Sequence, residues 1–168
     1  MNQLIRDYLQ AIGNAMTDQA KSMTISEEED TYSLILTSES PYDNTMEIAE
    51  IISLKIIDEN MLMALVRIGA FTDIPETLFK DVQNIITELN IGLDVGAFVL
   101  IPQLEAVDIR QSIFFDGDTP TEAATENMLR TLAVLEIELM RFGGYLDDLI
   151  SGRQTLKEIE NSINAEMR

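Results

Sequence analysis

A chain of 168 residues with 30 acidic against 11 basic side chains has a formal net charge of −19, which repels nucleic-acid backbones and anionic lipid and sets both aside as partners. Its length suffices to bury a real core, and 46% hydrophobic residues argue against wholesale disorder. The absence of His, Cys and Trp removes disulfides, thiolate nucleophiles and the usual ligands of zinc, copper and haem.

Leu4, Ile5, Tyr8, Leu9, Ile12, Met16 and Ala20 recur at helical spacing, which predicts a first helix over residues 2–22. Arg6 and Asp7 interrupt this segment, so it does not read as a secretory leader. No window of the chain approaches 18 apolar residues, and the expectation is a cytoplasmic protein. "SEEED" (26–30) reads as a charged connector, and "TYSLILTS" (31–38) as a strand with Tyr32, Leu34 and Leu36 on one face. "ESPYDN" (39–44) has turn chemistry.

Residues 45–57 predict the next strand, with Met46, Ile48, Ile52, Leu54 and Ile56 on one face and Glu50 as the break in it. After the short connection 58–60, "MLMALVRI" (61–68) is apolar on both faces. Leu62, Ala64, Val66 and Ile68 lie on one side, and Met61, Met63 and Leu65 on the other. Such a strand needs cover on both sides, from its own chain or from a partner.

Pro75 suits a helix start, Leu78, Phe79, Val82, Ile85, Ile86 and Leu89 form the stripe of a second helix, and Asn90 and Gly92 can end it. Two strands follow: 94–101, apolar nearly throughout, and a half-solvated one with Val107, Ile109, Ile113 and Phe115 on one side and Asp108, Arg110 and Ser112 on the other. Thr119 and Glu122 have capping-box spacing around Pro120 and predict the start of a long helix. In that helix Met128, Leu132, Leu135, Leu139, Phe142, Leu146 and Leu149 make one apolar stripe, and Leu129, Ala133, Ile137 and Met140 make a second. Gly143-Gly144 predicts an interruption, a kink or a close backbone approach. Residues 1–152 read as one domain, with 153–168 as a short helical tail.

Carboxylates are the remaining catalytic resource. Glu27, Glu28, Glu29 and Asp30 read as a solvated loop, Asp116 and Asp118 around Gly117 as a turn lacking the other ligands of a calcium loop, and Asp147-Asp148 as the polar side of a helix. Neither a Walker loop nor G-x-G-x-x-G is present. The expectation is no catalytic residue, no cofactor, no metal and no enzyme.

The element order and two segments, "IPETLFKDVQNIITELNIGLDVGAFVLI" and "EAVDIRQSIFFDGDTPTEAATENML", resemble the YbjN family of small bacterial proteins placed among sensory transduction regulators, and its type III secretion chaperone-like fold. The resemblance covers roughly the second half at residue level and the first half in element order. It implies an α+β fold: an antiparallel sheet of about five strands with helices packed on it, in the order α-β-β-β-α-β-β-α. It further implies a dimer, and in the secretion chaperones apolar patches that bind extended client segments.

Together these readings predict a non-enzymatic protein-binding module, chaperone-like or regulatory, that forms a homodimer and takes an unidentified protein client. The alternative is a stress or signalling regulator responding to a small ligand. The protein-binding residues expected are Ile35, Ile51, Met61, Met63, Leu65, Ile137 and Met140, the apolar positions left over once a single core is filled.

Overall fold

The computed structural model describes residues 2–17, 22–28, 31–39 and 47–166. Helix α1 (Asn2–Met16) is followed by four strands, β1 (Ser22–Glu28), β2 (Thr31–Glu39), β3 (Glu47–Asp58) and β4 (Met61–Phe71). Helix α2 (Phe79–Gly92), entered through a 3-10 turn, leads to β5 (Ala97–Ile101) and β6 (Ala106–Asp116), then to α3 (Thr121–Ile150) and α4 (Leu156–Glu166). The strands form one sheet in the order β1-β2-β3-β4-β6-β5, antiparallel at every pairing. The α+β class and the antiparallel sheet are as expected.

The sheet has six strands rather than about five, and the order is α-β-β-β-β-α-β-β-α-α. The added strand is β1, lying where the sequence suggested the end of a helix and the start of a connector. Its side chains are nearly all exposed, so no buried face marked it out. The rest of that connector (29–30), the following turn (40–44) and Met46 fall outside the described residues.

Two-residue alternation decides which side chains enter the core. Along β4, Leu62, Ala64, Val66, Ile68 and Ala70 are buried while the intervening residues are half-exposed. The register extends this to Leu34 and Leu36 of β2, Ile52 and Leu54 of β3, and Val107 and Ile109 of β6. Over this face lie α1 against β2, α3 against β4 and β6, and α2 against β5. Helix α4 packs on α2 and α3, and its Ile159 and Ile163 join the same core. Among the described residues no helix is long and apolar enough to cross a membrane.

Local chemistry departs from expectation in three places. The Thr119–Glu122 capping box does not form: Pro120 occupies the N-cap with no side-chain bond. Thr119 is instead held in a turn, its N–H on the Asp116 carbonyl and its own carbonyl accepting the Tyr8 hydroxyl at 2.6 Å. Asn90 does not end α2, which continues to Gly92; its side-chain amide binds the backbone of Phe98, donating to the carbonyl at 3.0 Å and accepting from the N–H at 2.8 Å. Helix α3 runs through Gly143-Gly144 without a break. Gly96 is required where it stands, with φ at +81° and a Cβ position only 2.6 Å from Leu135 Cδ2.

Candidate interaction surface

The other face of the sheet carries no described helix. Its rows follow from the register: Thr24, Ile35, Ile51, Arg67, Arg110 and Ala97 form one, each beside the next. The next row is Ser26, Ser33, Ser53, Leu65 and Ser112, and the one beyond brings Thr31, Lys55, Met63 and Phe114 together. Five of the seven expected binding residues, Ile35, Ile51, Met61, Met63 and Leu65, therefore share this face, each half-exposed. Between them lie small residues, serines, threonines and alanines.

Phe114, 60% exposed beside Met63, belongs to the same patch, as do Val99 and Ile101 on β5. Strict alternation from Phe115, which points into the core, was the signal that could have found Phe114. In a chain of net charge −19, this face also holds Lys55, Arg67 and Arg110. Asp108 lies among them, its buried carboxylate 3.4 Å from the Arg67 guanidinium. Burial raises the Asp108 pKa and the two arginines oppose that rise.

The other two expected residues are elsewhere. Ile137 and Met140 are 60% and 57% exposed on α3, which lies over the opposite face of the sheet. The sequence readings grouped all seven, but the structure separates them into two surfaces. On the helical side, a groove of about 910 Å³ runs between α1 and α3, lined by Ala11, Thr125, Leu129 and Ala133 and rimmed by Glu122 and Glu126. A smaller cleft continues it past Ala15 and Met16 to Glu136.

Glu136 faces the carboxyl of Glu50, the residue that breaks the apolar pattern of β3. Glu50 is 2% exposed and accepts a short hydrogen bond from Ser38 Oγ. Its Oε2 has no hydrogen-bond partner, and the carboxyl of Glu136 is its ionisable neighbour. Burial first, and the neighbouring Glu50 second, push Glu136 up to about 7; burial likewise raises Glu50. The two carboxyls stand together between β3 and α3, an arrangement that sequence alone does not reveal.

The other carboxylates considered as chemistry have structural partners. Asp147 and Asp148 both bind Arg153 and fasten the end of α3. The Asp116–Asp118 turn is closed by Gly117 N–H on the Asn60 carbonyl at 2.6 Å. Glu27, rather than lying in a loop, stands on β1 and pairs with Arg6 at 2.9 Å. Among the described residues, no group of three or more acidic side chains is arranged to hold a metal ion. Comparison with protein-family models, curated proteins and solved structures finds no match for this chain.

Proposed function

We propose that this chain is a non-enzymatic protein-binding module, chaperone-like or regulatory in the manner of the YbjN family it resembles, acting as a homodimer in the cytoplasm. The open face of the sheet is its docking surface. One observation carries the reading: Ile35, Ile51, Met61, Met63 and Leu65 lie on one face of the six-stranded sheet with every described helix on the other side. Covering such a face removes apolar area from water at about 25 cal/mol per Å², before the costs of association. Arg67 and Arg110 in its middle favour a partner segment that brings carboxylates together with apolar side chains.

The test is the double variant Met63→Asp, Leu65→Asp, compared with the wild type for partner retention and for melting temperature. Loss of the partner with melting preserved supports the docking face. Retention of the partner overturns it.

The groove between α1 and α3 supports a second reading, a regulator that responds to a small ligand. Its volume of about 910 Å³ lies in the range of ligand sites, and its floor is apolar. A thermal-shift screen of metabolites and ions tests this; a hit abolished by Ala133→Trp supports the groove, and no hit counts against it.

A further inference from the structure

The two edges of the sheet are treated differently. At the β5 edge, the Asn90 amide occupies the backbone N–H and carbonyl of Phe98, which blocks the addition of another strand there. At the β1 edge, no described element lies alongside. β1 is seven residues long, has no Pro, no Lys and no bulge against β2, and carries its two charges, Glu27 and Glu28, at one end, which leaves Ser22–Ser26 unprotected as an edge. On its helix side Met23 and Ile25 are each 44% exposed, large apolar side chains left half in water at the rim of the core. Gly13 lets α1 approach this rim, since a Cβ there would sit 2.5 Å from Met23 Sδ.

We propose that the β1 edge is the homodimer interface, pairing antiparallel with β1 of a second copy about Ile25. This takes the homodimer of the proposed function and names its contact. The sequence of β1 is self-complementary in this register. Ile25 meets its own copy, Met23 lies opposite Glu27, Thr24 opposite Ser26 and Ser22 opposite Glu28. No acidic position falls opposite another, which matters between two chains of charge −19. Met23 and Ile25 of both copies then form one apolar row on the helix side, with Arg6 holding Glu27 beside it at 2.9 Å. The operation is a twofold normal to the sheet, an isologous contact that closes at two copies. It gives one continuous twelve-stranded sheet, twice the six of a single chain, with both open faces turned the same way.

The chain has no cysteine, so a single introduced thiol reports its own neighbourhood. Light scattering on the full chain and cross-linking of Ile25→Cys with a short bis-maleimide test the proposal, with Ile91→Cys, exposed at the far end of α2, as the control. The expected result is a particle of twice the 18.9 kDa chain mass, covalent dimer from Ile25→Cys, and none from Ile91→Cys. Ile25→Lys, which sets two like charges against each other at the centre of the pairing, is expected to give a monomer with an unchanged circular dichroism spectrum. A dimer that Ile25→Cys does not trap overturns the edge interface and leaves the homodimer standing. A wild-type monomer up to 100-fold dilution from about millimolar concentration overturns both. Neither result bears on the open face, which the Asp double variant tests separately.

Discussion

The two faces of the sheet are built from the same strands, yet they differ in what covers them. On β4 the residues alternate between them: Leu62, Ala64, Val66 and Ile68 lie under the helices, while Met61, Met63 and Leu65 half-face solvent. Over β2, β3 and β4 the covered face is apolar apart from Ser38 and Glu50, which bond to each other. The open face mixes apolar side chains with small hydroxyls and charges of both signs, Lys55, Arg67 and Arg110 with Glu39, Glu47, Asp108 and Asp116, a composition that does not form a core. The comparison separates folding from binding: side chains of similar hydrophobicity stabilise the domain on one face and are available to a partner on the other.

Adjacent substitutions on β4 break this comparison most sharply. Leu62→Ala, on the covered face, is expected to cost about 2–5 kcal/mol in urea denaturation. Met63→Ala, one residue on, is expected to cost about 1 kcal/mol, less than Leu62→Ala because Met63 is only part-buried. Equal costs for the two would mean that the open face is covered. Asn90→Ala comes next, at about 1–2 kcal/mol, since it strips two hydrogen bonds from the Phe98 backbone. It also opens the β5 edge, so concentration-dependent growth in light scattering is expected to accompany it.

The Glu50–Glu136 pair predicts a pH dependence of definite sign. In the folded chain Glu136 keeps its proton up to about 7, whereas an unfolded glutamate releases it near 4.3. The folded state therefore binds more protons between these values, and stability falls as pH rises from about 4.5 to about 7. The lowered carboxylates Glu27 and Glu158 act in the opposite sense, but below this window. Urea midpoints at pH 5 and pH 8 measure the slope, and Glu136→Gln is expected to flatten it. The Met63→Asp, Leu65→Asp pair is expected to leave the chain folded, at about 1 kcal/mol per site.

Alternation made most of this architecture legible. The inward residues of β2, β3, β4 and β6 and the buried stripe of α3 can be read from the sequence because one face of each is mostly apolar. The side of Met63 and Leu65 could also be read, together with the need for something to cover it. β1 was hidden because an edge strand buries little, and Glu27 and Glu28 outweighed the short alternation of Met23 and Ile25. The capping box failed because Pro120 takes the capping position itself, leaving Thr119 to the preceding turn. Ile137 and Met140 could be read as surplus apolar surface on the long helix, but helical periodicity shows that a second stripe exists and not where it faces. The partnership of Glu50 with Glu136, 86 positions apart by subtraction of their numbers, is tertiary and left only one trace, the interruption in the β3 pattern.

The central claim is that the open face holds a protein partner. Native mass spectrometry on the chain purified gently from its own cells, wild type beside Met63→Asp, Leu65→Asp, tests it most directly. The account predicts a defined complex with a second polypeptide for the wild type and its loss from the variant, with the variant still folded. The same complex surviving in the variant would contradict it.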